Sequence, residues 1–129
     1  MKIAVIIVRT LMGLLFVFSV VMFVLMAYLK MMPMPPMDGP VKTFNEGLAA
    51  SGYFFPLLKL TELLCGLAFL SGRYVALACV VIAPVIVNIL CVHLFLDRSG
   101  LPVAIALFLG NIFLAYANWD KYRPILTAK

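Results

Sequence analysis

The chain is poor in charge, and poorest in acid. Of 129 residues only 5 are acidic and 10 basic, while 66% are hydrophobic. A soluble domain is about 45–50% apolar and about 25% charged. A soluble fold of this length cannot hide so much apolar side chain, because surface grows too fast relative to volume. That excludes a soluble globular domain, and it excludes disorder, which needs low hydrophobicity. Histidine occurs once, at His93. A single histidine excludes bis-histidine ligation of a b-type haem within one subunit, and any internal multi-histidine metal site. Cys65, Cys79 and Cys91 never form Cys-x-x-Cys, so a dithiol exchange site has no support. The chain also lacks a phosphate-binding glycine loop, a strand–helix–strand unit for a dinucleotide, and an internal repeat. The net charge of +5 is scattered rather than clustered, so no nucleic-acid partner is expected.

What is present is four long apolar runs, at residues 3–29, 53–70, 74–96 and 101–118. Each meets the length of roughly 20 residues needed to cross about 30 Å of hydrocarbon. Residues 30–52 between the first two hold Pro33, Pro35, Pro36, Gly39, Pro40 and Gly52, which stop helices and make turns. Ser71-Gly72-Arg73 and the stretch from Asp97 to Pro102 are tight connections, with Pro102 placed for the first turn of a helix. The pattern predicts an all-α membrane protein: one antiparallel bundle of four transmembrane helices, with the lipid bilayer as its main partner.

Lys2 ahead of an apolar run has the look of a signal peptide. The run continues past Arg9 to Leu29 with no small-residue cleavage site, so a retained helix is expected. With both termini cytoplasmic, Lys2, Arg73, Lys121, Arg123 and Lys129 lie inside and Lys30, Lys42 and Arg98 outside. Tyr116, Trp119 and Tyr122 then form an aromatic belt at the inner end of the fourth helix. The expected location is an inner (plasma) membrane of bacterial type. In the outer segment 30–52, the Pro-rich front is expected to be extended. Residues 41–50, with Phe44 and Leu48 on one face, are expected to form a short interfacial helix. Met31, Met32, Met34 and Met37 there offer thioethers to Cu(I), though methionine more often fills space at an interface.

Among the polar residues inside the apolar runs, six are the candidates: Arg9, Lys59, Glu62, Asn88, His93 and Asn111. Such groups are expensive in a membrane helix and face protein or water. At about 1.5 Å per residue, Glu62 and Asn111 fall near mid-membrane. Arg9 falls roughly 9 Å from the inner end and Lys59 about 9 Å below the outer surface. Asn88 lies in the outer half and His93 near the outer interface. Lys59 and Glu62 share a helix face, and Arg9 is long enough to reach towards the same carboxylate. Three arrangements stay open on these residues: a structural Arg–Glu or Lys–Glu pair, a polar pocket for a headgroup, quinone or proton, and snorkelling to opposite interfaces. Pro84 predicts a bend in the third helix with Asn88 one turn on. Small residues at Gly13, Gly66, Ala68 with Gly72, and Ala106 with Gly110 permit close helix approach, within the bundle or between copies in a homo-oligomer.

These residues carry a resemblance to the DoxX-like family of small four-helix membrane proteins. Arg9, Gly13 and Phe16 match its Arg-x-x-x-Gly-x-x-Phe opening. Glu62, Gly66 and Gly72 match its Glu-x-x-x-Gly followed by a second glycine, and Pro84, Val87-Asn88 and His93-Leu94-Phe95 resemble its Pro…Asn…His-x-Phe pattern. The resemblance covers nearly the full length. Many members carry a glycine and then a lysine where Val20 and Phe23 stand here, so whatever that lysine does is not carried over. The resemblance implies a quinone-linked redox role, since founding relatives are subunits of a thiosulfate:quinone oxidoreductase. It supplies no catalytic residue.

Three functions follow as expectations. The first is a membrane subunit that binds quinone, non-covalently, and works with other membrane or redox subunits. Asn88, His93 or Lys59 would contact the carbonyls, and Glu62 with Arg9 would relay protons, Asn111 being a further polar candidate. The second is a non-catalytic scaffold, assembly or chaperone-like subunit. The third, a small transporter, is weakest because four helices without an inverted repeat suit alternating access poorly. Whether the chain itself is an enzyme is left open by its residues. The orientation makes a direct prediction: a fluorescent protein fused after Lys129 should fluoresce and alkaline phosphatase fused there should be inactive. The opposite pattern would invert the topology.

Overall fold

The computed structural model describes residues 2–31, 33 and 36–128. Among them there is helix and irregular chain but no strand. Lipid offers the backbone no hydrogen bonds, so an apolar run must satisfy its own, and a helix does so within one segment. The first run forms α1 (Lys2–Phe23) and continues as a π-helical turn, Val24–Tyr28. There Leu29 N–H donates to Val24 O at 3.0 Å, and Lys30, at φ 52°, ends the helix. The outer segment folds into α2 (Gly39–Ala50), with Pro40 in its first turn. Val41, Phe44, Asn45 and Leu48 are its half-buried side. Three further long helices follow: α3 (Phe54–Ser71), α4 (Val75–Phe95) and α5 (Leu101–Ala117). A 3-10 turn at Arg98–Gly100 leads into α5, and a single-turn α6 (Trp119–Tyr122) follows it.

Four helical spans are long and apolar enough to cross a membrane: Lys2–Tyr28, Phe54–Ser71, Val75–Phe95 and Arg98–Ala117. The shortest, at 18 residues, extends about 27 Å. α1 packs on α3 and α5, and α4 packs on the same two, so the four long helices close a ring. Their shared core holds Met12 and Phe16 of α1, Phe69 of α3, Cys79, Ile82 and Ile86 of α4, and Leu107 and Leu114 of α5. Only 17–22% of each span's apolar window is buried within the bundle. Leu11, Leu14, Leu60, Leu64, Leu77 and Ile112 point outward instead. An all-round apolar helix with so little of itself buried needs lipid as its solvent.

The tightest joint is between α1 and α3. A Cβ added at Gly13 would stand 2.7 Å from Leu70 Cγ and 2.9 Å from the Gly66 carbonyl oxygen. A Cβ at Gly66 would stand 3.1 Å from Val17 and 3.2 Å from the Gly13 oxygen. The two glycines therefore face each other, and each removes the side chain that would hold the backbones apart. The next connection turns on Gly72 at φ 78° and Tyr74 at φ 59°, two left-handed residues that reverse the chain within four positions. α4 runs unbroken through Pro84, which leaves the Val80 carbonyl without its helical donor.

Overpacking at such a joint costs about 1–3 kcal/mol. Gly13→Val and Gly66→Val should therefore lower the thermal unfolding midpoint in detergent, whereas Leu11→Ala, on the outward side of α1, should barely move it. Equal shifts at all three positions would show that α1 and α3 do not meet there.

Candidate functional site

Lys59 and Glu62 form the only ion pair within the spans among the described residues. One turn of α3 separates them, so both face the bundle, with side chains 18% and 5% exposed. Lys59 Nζ lies 2.9 Å from Glu62 Oε2. That oxygen still lacks an aligned hydrogen-bond donor among the described residues, so the contact is chiefly electrostatic. Lys59 Nζ also donates to Ser19 Oγ at 2.8 Å and sits 5.6 Å from the centre of the Phe23 ring. The ammonium thus bridges α1 and α3, and α1 holds it from two sides.

Lys59 closes one end of a cleft of about 630 Å³ between the end of α1, its π turn, α2 and the start of α3. Met22, Met26, Phe23, Phe54 and Phe55 supply apolar wall. Asn45 and Glu46 of α2 with Ser19 and Lys59 supply the few polar groups. A π-helical turn widens the helix by one residue and is common at functional positions. Here it sets Met26, Ala27 and Tyr28 along the cleft.

The remaining polar residues go to other places. Arg9 does not meet Glu62. Its Nη1 donates to Phe69 O at 2.8 Å and to Leu70 O at 3.3 Å. These are last-turn carbonyls of α3, which have no intrahelical donor and carry the negative end of the helix dipole. They compete for the cation successfully because Glu62 stands about 10 Å further along α3. Asn111 is buried against α4, where Nδ2 donates to Cys79 O at 3.2 Å, and its Oδ1 has no partner among the described residues. His93 is half-buried at the end of α4, its Nδ1 3.0 Å from Asp97 O. A carbonyl only accepts, so that nitrogen carries the proton. Asp97 in turn accepts from the Ser99 amide and hydroxyl, which hold its carboxyl below the usual carboxylate range. Asn88 lies on the exposed side of α4, not in an internal cavity beside Pro84. Of the six sequence candidates, only Lys59 and Glu62 are brought together. Met32 and Met34 of the methionine segment lie outside the described residues.

Two contributors were missed from the sequence. Ser19 sits in the middle of an apolar run, and nothing local marks it as the partner of Lys59. Tyr122 donates from its hydroxyl to Ala76 O at 2.7 Å, tying α6 back to the start of α4. Burial beside the Cys79 thiol pushes that phenol up to about 12.

Comparison of the chain with protein-family models, curated proteins and solved structures returns no match.

Removing one member of a buried ion pair leaves the other charge unpaired, at a cost of about 3–5 kcal/mol, whereas neutralising both is far milder. Lys59→Met should therefore destabilise the protein strongly, and Lys59→Met with Glu62→Gln should recover most of the loss in the same thermal assay. Additive losses would mean that the two groups do not interact.

Proposed function

We propose that this protein is a membrane subunit of a quinone-linked redox system and that it binds a quinone in the cleft closed by Lys59. The observation that carries this reading is the cleft itself, about 630 Å³ of mostly apolar wall with one ammonium at its end. That is the composition of a site for a flat apolar ring with polar edge atoms. The ammonium has three donors; one is committed to Ser19 and another side faces Glu62. What is left suits a carbonyl oxygen in the cleft. Ser19 and Phe23 would hold Lys59 in place, and Phe54, Phe55 and Met26 would enclose the ring and keep water out. Glu62, 2.9 Å behind Lys59, is the carboxylate through which protons would be relayed. A bound quinone would supply the two-electron couple, and a separate protein the electrons. The resemblance to DoxX-like proteins agrees with this reading through the quinone-linked role of that family.

The bundle is read as antiparallel, with both termini cytoplasmic in an inner membrane. Residues of α1 that meet α3 ascend as their partners descend: Arg9 with Leu70, Gly13 with Gly66, Ser19 with Lys59. That order supports antiparallel neighbours.

A second reading, a scaffold for another membrane protein, draws on Asn88. Its amide is exposed within the apolar outer surface of α4, where a helix of a partner would satisfy it.

Binding decides between them. A short-chain quinone titrated into the protein in nanodiscs should saturate at one per chain. A charged hydrogen bond is worth about 1.5–3 kcal/mol, so Lys59→Met with Glu62→Gln should weaken binding about tenfold or more. Arg73→Gln, at the other end of the bundle and outside the cleft, should leave it unchanged. Absence of saturable binding, with a photocross-linker at position 88 capturing a membrane protein, would establish the scaffold instead.

A further inference from the structure

We infer that the end of the bundle that carries both termini holds the phosphate of an anionic phospholipid, in a cleft between Arg9 and Lys121. This cleft, about 520 Å³, is separate from the one closed by Lys59. It is lined by Arg9 of α1, by Asn118 and Lys121 beyond α5, and by Tyr74 with the first turn of α4.

The starting point is an unbalanced cation. Arg9 is half-buried, and its hydrogen bonds to Phe69 O and Leu70 O both leave from Nη1. Among the described residues its Nε and Nη2 take no hydrogen bond, and no carboxylate lies within ion-pair distance. A guanidinium donates five N–H groups from a rigid fork, and its unused edge matches two oxygens of a phosphate. Within a bilayer such a charge is costly until an anion or water meets it. The carbonyls fix the fork in place, so little freedom is lost when an anion binds.

Lys121 supplies the second charge, and the fold places it. α6 is a single turn that on its own would fray. The hydrogen bond from Tyr122 to Ala76 O ties it to α4 and so holds the neighbouring Lys121 at the rim of the cleft. Asp120 precedes Lys121 but does not line the cleft.

The depth identifies the anion. Tyr74, Tyr116 and Trp119 are exposed around this end, at 76%, 70% and 50%. Aromatic residues of this kind sit at the headgroup level of a membrane. An anion at that depth, beside outward apolar helix faces, is the phosphate of a lipid whose chains lie along those faces. An anionic lipid with a second acceptor on its headgroup, such as phosphatidylglycerol, meets both cations. A soluble phosphate has the same oxygens but no chains to keep it at this depth.

Native mass spectrometry tests this on the full chain, released from nanodiscs of phosphatidylglycerol and phosphatidylcholine in equal amounts. The protein should retain one phosphatidylglycerol in preference to phosphatidylcholine. A basic residue near an anionic lipid contributes about 1 kcal/mol, so Lys121→Gln should reduce the retained fraction about fivefold. Arg98→Gln, an equal loss of charge at the opposite end, should leave it unchanged. Arg9→Lys keeps a cation on the α3 carbonyls but loses the fork, and should also lower retention while the protein stays folded by circular dichroism. Equal retention of the two lipids, or retention unaffected by Lys121→Gln, overturns the proposal. Displacement of the lipid by millimolar inorganic phosphate overturns the lipid assignment and gives the cleft to a soluble anion.

Discussion

Gly13 and Gly66 bring the backbones of α1 and α3 almost into contact, and the polar chemistry of the bundle hangs on that approach. In lipid there is little hydrophobic force between helices, so close packing and interhelical hydrogen bonds must hold them. With the two glycines as a pivot, α1 serves both ends of α3. At one end Arg9 reaches the carbonyls of Phe69 and Leu70. At the other Ser19 and Phe23 reach Lys59. A larger residue at either glycine would push α1 outward and loosen both ends together.

The polar residues of the spans divide by what they answer to. Arg9 and Asn111 donate to main-chain carbonyls of a neighbouring helix, and Tyr122 does the same from just beyond α5. These bonds tie one helix to the next, and those of Arg9 use last-turn carbonyls of α3 that have no intrahelical donor. Lys59 and Glu62 answer to each other instead. Lys59 of that pair also lines the cleft that α2 and the π turn help to build. Arg9 holds α3 through one nitrogen and also lines a second cleft.

Much of the fold is legible in the order of residues. The helix ends of α3, α4 and α5 fall within about a residue of where Gly, Pro and Ser put them, because those residues act locally. Lys59 and Glu62 were readable as neighbours because a spacing of three fixes a shared helix face. α2 was readable from Phe44 and Leu48. The π turn was not, since Val24–Tyr28 is as apolar as the helix before it and no breaker marks the change.

From the order of residues alone it follows that the chain is helical, that four segments suit a bilayer, and which side chains carry charge into it. Length, hydropathy and local spacing are enough for that, because the solvent imposes the rule on each segment separately. Which partner each charge takes depends on how the helices pack. Arg9 faced a choice between a carboxylate and main-chain carbonyls that every residue possesses and no sequence pattern displays. Asn88 and His93 likewise needed the neighbouring helices to show which side of α4 faces inward, because that helix is apolar all round. The cleft closed by Lys59 draws walls from three elements separated along the chain, and so it exists only once they pack.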